Sequence, residues 1–269
     1  MIELHHYAFS TCSQKVRVVL AEKGIDFVSH EVDLIAGGQH DPEYVKLNPK
    51  HVVPTLVHDG RVLVESSLII AYLDDAFAEP PMRPADALGR YRVGRWLRRV
   101  DDAVHVAAPT VTFAIGPRPF LLQQPAVVRE ANIEQIPDPH DRALRRSVLE
   151  HGVAAPEFAG ALAVFIEMLV RMESELADQP WLSGAGFGLA DATVLPYVLR
   201  LEHLAMDPLL ASTTRPAVAD WLARVKARPS YATAVEAWAA PAAVELLRSN
   251  GKAVWPEVER VISRGVEVA

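Results

Sequence analysis

The sequence predicts an α/β domain followed by an all-α domain, and three observations carry that prediction. The first 80 residues switch repeatedly between β-like and helical periods, no β-like run recurs beyond Pro84, and Ala78-Glu79-Pro80-Pro81-Met82-Arg83-Pro84 punctuates the change. The predicted domains are 1–80 and 86–269, the second carrying a proline-rich insertion at 117–140.

Taken in order, "IELHHYAF" is a short strand, and "KVRVVLAEKG" is a helix with Val16, Val19 and Leu20 as its buried stripe and Gly24 as its stop. "DFVSHEVDL" alternates as a second strand. A loop through Gly37-Gly38 leads to a short helix in "DPEYVKLNP", with a proline at its start. "TLVHD" and "RVLVE" read as strands joined at Asp59-Gly60, a strong hairpin signal. "SSLIIAYLDDAF" closes the domain as a helix. The order βαβαββα, a parallel unit followed by an antiparallel hairpin, predicts a thioredoxin-like four-stranded sheet with helices on both faces. Downstream, residues 86–113, 138–151, 156–178, 189–206, 215–228 and 231–248 carry i, i+3, i+4 apolar spacing, which makes the second domain helical. Prolines at 117, 119, 125, 137 and 139 predict an irregular excursion there, of the kind that forms lids or walls.

Composition narrows the function. The chain has 269 residues, half of them hydrophobic, and a net charge of −7, which argues against a nucleic-acid partner. The basic run "RYRVGRWLRRV" alternates with apolar residues at helical spacing and reads as a solvated helix face. No apolar run reaches the roughly 18 to 20 residues that span a bilayer, and "MIELHHYAF" lacks the pattern of a signal peptide, so the expectation is a cytoplasmic protein with no membrane partner. A single cysteine excludes an intramolecular disulfide and a cysteine-cluster metal site. No carboxylate or histidine cluster has metal-ligand spacing, so no metal is expected.

Three stretches carry chemistry. In "VVPTL", Pro54 stands at the start of an interior strand, where it lacks a ladder donor. A cis Val53-Pro54 bond would explain it and would turn the neighbouring backbone outward to hold an extended peptide. In "VESSLII", Ser66 is the expected N-cap of its helix, and Glu65 stands beside the anion-favouring first turn. A carboxylate next to an anion site suits an α-amino-acid head. In "YAFSTCSQKVRVVLAEKG", Ser10, Thr11, Cys12 and Ser13 crowd a helix N-terminus, where unpaired N–H groups, the dipole and a hydroxyl favour a thiolate. Together these describe a pocket for an α-amino head, a peptide backbone and a thiolate.

With these motifs the chain resembles the glutathione transferases. "STCSQKVRVVLAEKGI", "LNPKHVVPTLVHDG" and "VESSLIIAYLDDAF" look like that family's thiol loop, cis-proline segment and γ-glutamyl clamp; "WLSGAGFGLADATVLPY" and "RPAVADWLARVKARPSY" resemble its helix-capping and C-terminal motifs. Gly188 stands where the family usually caps with Ser or Thr, and Asp191 is expected to bond back to the cap N–H. Closer similarity runs three ways. "STCS" with "KVR" resembles the zeta class, which includes maleylacetoacetate isomerases, with Thr11 at the second serine position. Ser-x-Cys-Ser with "NPKHVVPTL" is similar to bacterial tetrachlorohydroquinone reductive dehalogenases. "VDDAVHVAAPTVTFAIG" and "IPDPHDRALRR" are similar to bacterial β-etherases, which cleave aryl ethers. The proline-rich insertion is not a zeta feature and disfavours a plain isomerase.

The resemblance implies glutathione as co-substrate, a small hydrophobic electrophile of aromatic character as its partner, a homodimer, and roles in detoxification or aromatic degradation. Ser10 becomes the leading partner for the sulfur, ahead of Thr11 and Cys12. Val53, with Val52 and Pro54, is implied to pair with the cysteinyl unit, Glu65 and Ser66 to hold the γ-glutamyl group, and Gln39 to reach the glycyl end. His51 stands near that end or in solvent. Trp96, Val100, His105, Phe113 and Phe120 are the candidates for the electrophile pocket, with His105 able to protonate a leaving phenolate and core packing the alternative for each. Two other functions stay open: a glutathione-dependent reductive dehalogenase or thiol oxidoreductase working through Cys12, and a non-catalytic binding protein on the same fold.

Overall fold

The computed structural model describes residues 1–264; the last five positions of the expected second domain lie outside the described residues. The elements run β1 (Ile2–His6), α1 (Thr11–Glu22), β2 (Val28–Glu31), α2 (Pro42–Leu47), β3 (Thr55–His58), β4 (Arg61–Leu63) and α3 (Ser66–Ala76). Next come α4 (Ala87–Arg99), α5 (His105–Ile115), α6 (Arg118–Gln123), α7 (Ala126–Glu134), α8 (Pro139–His151) and α9 (Pro156–Asp178). The chain ends with α10 (Leu189–His203), α11 (Pro216–Lys226), α12 (Pro229–Ala234) and α13 (Pro241–Ser263). It divides into two compact units. One contains residues 1–98, 178–196 and 221–240; the other contains residues 99–177, 197–220 and those from Pro241 onward.

In the first unit the strands lie in the order β2-β1-β3-β4, with β1 and β2 parallel and both remaining pairs antiparallel. This is the expected thioredoxin-like sheet. Alternation sorts β1 into two faces: Ile2, Leu4 and His6 are buried, while Glu3 and His5 point the other way and are half-buried. Leu4 and Leu56 are paired across β1 and β3, and both are buried, as are Val16, Val19 and Leu20 of α1 and Ile69, Ile70 and Leu73 of α3. Val32, Tyr44 and Val53 form a separate buried cluster. Asp59 and Gly60 both take positive φ, the backbone that joins β3 to β4 as a tight hairpin.

Asp191 organises the start of α10. Its carboxylate accepts hydrogen bonds from the N–H groups of Leu182 (2.9 Å), Ser183 (3.1 Å) and Gly188 (3.1 Å) and from Trp221 Nε1 (2.8 Å). Full burial nonetheless pushes its pKa above the usual carboxylate range, against those bonds. Gly188 is required here, because a Cβ would lie 2.3 Å from the Met82 carbonyl oxygen. Its departure from Ser or Thr therefore reflects a close backbone approach.

In the second unit Val111 and Ile115 of α5, Val148 of α8, and Phe158, Leu162, Phe165 and Leu169 of α9 are buried. Gly251 of α13 is tighter still, its hypothetical Cβ falling 1.8 Å from the Leu204 carbonyl oxygen. Among the described residues no single helix is long and apolar enough to cross a membrane.

Several sequence expectations need correction. Residues 117–140 build α6 and α7 and start α8, because Pro117, Pro119, Pro125 and Pro139 stand at helix starts, where the missing N–H has no intrahelical partner to lose; Pro137 lies in the bend between α7 and α8. The expected helix 86–113 is interrupted by a π-helical segment, Val100–Val104, and Pro109 lies inside α5. Pro109 has no N–H to offer the His105 carbonyl, so the ladder is already broken where the π segment ends. The expected helix 231–248 is two helices, α12 and α13, separated by a short turn, with Pro241 opening the second. The second strand covers only Val28–Glu31. Finally, Ser66 is not the cap of α3 but its first residue; Glu65 holds the cap position at φ +69°.

Candidate active site

The turn from β1 into α1 is fixed from both ends. Ser10 is the N-cap of α1, its Oγ accepting the Ser13 N–H at 3.2 Å, while Ser13 Oγ accepts the Tyr7 N–H at 3.3 Å. The cap uses a lone pair of Ser10 and leaves its hydroxyl proton available to donate. Ser10, Thr11 and Cys12 are all partly exposed, whereas Ser13 is buried. Three candidate sulfur partners therefore share one helix start.

Arg17, which sequence reasoning missed, holds this turn from below. It is almost fully buried and donates to the carbonyls of Tyr7 (3.2 Å), Ala8 (2.9 Å) and Ala234 (2.9 Å) and to His6 Nδ1 (3.1 Å). A guanidinium only donates, so His6 Nδ1 accepts and Nε2 carries the proton toward Ser29 Oγ at 2.8 Å. Burial, with Arg17 next to it, lowers the His6 pKa to about 4, and burial lowers that of Arg17 to about 10. Both groups serve the backbone. The signal for Arg17 was present: a cation between Val16 and Val18 in an otherwise apolar stripe.

The Val53-Pro54 bond is cis, as expected; Glu79-Pro80 is a second cis bond. Val53 is buried and Val52 is 50% exposed. Tyr44 and Asn48 anchor the segment: Tyr44 Oη donates to the Val52 carbonyl at 2.6 Å and lies 3.0 Å from Thr55 Oγ1, and Asn48 Nδ2 donates to the same two acceptors at 2.8 and 3.1 Å. Burial raises the Tyr44 pKa, outweighing its hydrogen bonds to Thr55 and Asn48.

Glu65 is exposed and Ser66 is buried. Lys50 Nζ lies 2.5 Å from Glu65 Oε1, an ion pair absent from the sequence reading. Nearby in the fold, buried Lys15 donates to Ser67 Oγ at 2.8 Å, tying α1 to α3. Gln39 Nε2 lies 3.2 Å from His40 Nε2, and His40 Nδ1 lies 3.1 Å from His51 Nδ1. Gln39 and His51 thus belong to one polar chain. A cavity of about 580 Å³ in this unit is lined by Arg17, Leu20, Phe27, Ala234 and Trp238 among others, and includes none of the candidate residues.

Of the residues expected to meet an electrophile, Trp96 and Val100 are buried. His105 is exposed, with Nδ1 at 3.0 Å from the hydroxyl of buried Tyr197. Phe113 is covered by Arg145, whose guanidinium carbon sits 3.3 Å from the ring centroid. Burial lowers the Arg145 pKa to about 10. Phe120 is 51% exposed on α6.

Comparison with known proteins places the chain as a whole in a family. Residues 4–81 match the glutathione S-transferase N-terminal domain family, and residues 150–224 match the glutathione S-transferase C-terminal domain family. The chain is 30% identical over 208 residues to a maleylacetoacetate isomerase of Pseudomonas aeruginosa, covering 76% of this chain and 84% of that protein. It is 29% identical over 241 residues to a tetrachloro-p-hydroquinone reductive dehalogenase of Sphingobium chlorophenolicum, covering 87% and 95% respectively. The crystal structure of the β-etherase LigF from Sphingobium sp. strain SYK-6 superposes with a TM-score of 0.78 at 27% identity, covering 88% of this chain and 99% of that one.

Proposed function

Because the chain belongs to the glutathione S-transferase family, a family of enzymes that use glutathione, we propose that it ionises the glutathione thiol at Ser10 and directs the thiolate onto a small aromatic electrophile. The observation that carries this reading is the Ser10 cap, partly exposed and able to donate from its hydroxyl, at a helix start whose dipole favours an anion. Residues 1–80 supply the glutathione site. The Val53 backbone takes the cysteinyl unit, Glu65 exchanges Lys50 for the γ-glutamyl ammonium, Ser66 and the start of α3 take its carboxylate, and Gln39 reaches the glycyl end. Residues 86–269 supply the electrophile site, with Trp96, Val100, His105, Phe113 and Phe120 as its residues. The protein acts as a cytoplasmic homodimer.

Ether cleavage of the β-etherase kind is the substrate reading we favour, and likeness to LigF supports it. The glutathione sulfur forms a C–S bond to the ether carbon, the C–O bond breaks, and its electron pair leaves as a phenolate that takes a proton from water or His105. Tyr197 orients the His105 ring for that role.

One observation favours a second reading. Cys12 is partly exposed in the first turn of α1, two residues beyond Ser10, and the likeness to the reductive dehalogenase suits a sequence in which glutathione displaces halide from a haloaromatic and Cys12 attacks the sulfur of that adduct. The aromatic leaves with the electron pair and takes a proton, so that it is reduced as the Cys12–glutathione mixed disulfide forms. Ser10→Ala and Cys12→Ala, assayed on aryl ethers, haloaromatics and maleyl compounds, separate the two. Ser10→Ala is expected to raise the pKa of bound glutathione, read as thiolate absorbance against pH, and to cut turnover by about 10²-fold or more, while Cys12→Ala keeps most activity. Loss of turnover in Cys12→Ala with retention in Ser10→Ala overturns the transferase reading, and failure of the wild type to bind glutathione in calorimetry favours a non-catalytic protein.

A further inference from the structure

The face of the sheet opposite α1 gathers three side chains that the glutathione chemistry does not use. Glu3 and His5 alternate along β1 and therefore project from the same face. The parallel register places His5 directly opposite His30 of β2. Their imidazoles stack at 4.5 Å between centroids with only 14° between planes, and His30 Nε2 lies 2.9 Å from Glu3 Oε2. One ligand atom from each of the three residues falls within 4.8 Å of the other two, and all three residues are half-buried.

We propose that Glu3, His5 and His30 bind one divalent transition cation of the zinc class. Zinc bonds of about 2.0–2.1 Å at a tetrahedral angle place neighbouring ligand atoms about 3.4 Å apart. Bringing the three donor atoms from within 4.8 Å to that spacing needs only side-chain rotation, since the strand register already fixes the backbones. Two imidazoles with one carboxylate suit zinc, cobalt, nickel or copper; calcium and magnesium want an all-oxygen shell. Three protein ligands leave a fourth position for water. No spacing along the chain announces the group, because 27 positions separate Glu3 from His30 and only the parallel pairing joins them.

The cation would fasten β2, an edge strand, to β1 in the interior of the sheet. It would also lie beside the glutathione segment: the His5 ring is 5.9 Å from that of Tyr44, whose hydroxyl holds the Val52 carbonyl. A ligand that binds only the folded sheet raises its melting temperature.

The test uses the full chain, without an affinity tag and after treatment with chelator, titrated with Zn²⁺ by calorimetry and with Co²⁺ by visible absorption. One equivalent is expected to bind saturably, and Zn²⁺ is expected to raise the Tm. Glu3→Gln and His30→Gln should each weaken binding about tenfold or more and remove the Tm rise, with metal-free melting used to confirm that both variants fold. His40→Gln, which breaks the other close histidine pair, and Cys12→Ser should bind as the wild type does. Absence of saturable binding, wild-type affinity in both Glu3→Gln and His30→Gln, or loss of binding in His40→Gln or Cys12→Ser overturns the proposal.

Discussion

The loop that leads into α1 and the helical surface on α5 and α6 are built in opposite ways. At the start of α1 and in the cis-proline segment the candidate geometry rests on the course of the main chain, and buried polar side chains hold it: Arg17 grips the Tyr7 and Ala8 carbonyls, and Tyr44 with Asn48 grips Val52. On α5 and α6 the candidate groups are the side chains themselves, with His105 and Phe120 exposed and Phe113 covered by Arg145. Backbone geometry held by buried donors cannot change without leaving those donors or acceptors unpaired, whereas an exposed ring can change at little cost. A constant co-substrate fits the first arrangement, and a variable electrophile fits the second.

The largest effect that sharpens this contrast is expected at Asp74. Its carboxylate meets buried Lys23 at 2.8 Å and accepts from the Met82 N–H at 2.9 Å and from Arg83 at 2.7 Å. Asp74→Asn leaves the Lys23 ammonium buried without its counter-charge and should cost about 3–5 kcal/mol in urea unfolding. Burial pulls the Asp74 pKa up, but Lys23, the Met82 N–H and Arg83 outweigh it, and the net shift is downward. With a depressed folded pKa, the stabilisation is fully present above the unfolded value of about 3.9 and is lost as pH falls through the folded one. The variant should therefore lose that part of the wild type's acid destabilisation.

Arg17→Met comes next. It strips donors from three carbonyls and His6, and about 3 kcal/mol of stability should go with it, together with glutathione affinity in calorimetry. Gly251→Ala tests the helical unit: the clash with the Leu204 carbonyl should cost about 1–3 kcal/mol and leave glutathione affinity near the wild-type value. Tyr44→Phe should cost about 1 kcal/mol and raise the KM for glutathione several-fold with kcat held, because it loosens Val52 without touching Ser10. Smallest in stability is Phe120→Ala, expected within about 0.5 kcal/mol while changing the ranking of electrophiles by kcat/KM. A Phe120→Ala enzyme with an unchanged ranking would break the contrast from the variable side, as unchanged glutathione binding in Arg17→Met would from the constant side.

Much of the first unit was legible because its signals are local. Asp59-Gly60 names its turn, Pro54 names its cis bond, and Val16, Val19 and Leu20 name their buried face. Proline misled between 117 and 140, because its meaning depends on position: at 117, 119, 125 and 139 it opens helices instead of breaking them. Ser66 misled because Glu65 takes the positive φ that ends the preceding segment, pushing the serine into the first turn.

The sequence by itself determined the order βαβαββα of the first 80 residues, with it the thioredoxin-like sheet, and the position of Ser10 at the head of α1, since each of these signals spans only a few residues. Tertiary structure alone decided which distant groups meet. Arg17 reaches Ala234, Asp191 gathers Leu182 and Trp221, Lys50 finds Glu65, and Glu3 joins His30. Those pairings follow from strand register and helix packing, which sum contributions from the whole chain, so no short stretch carries them.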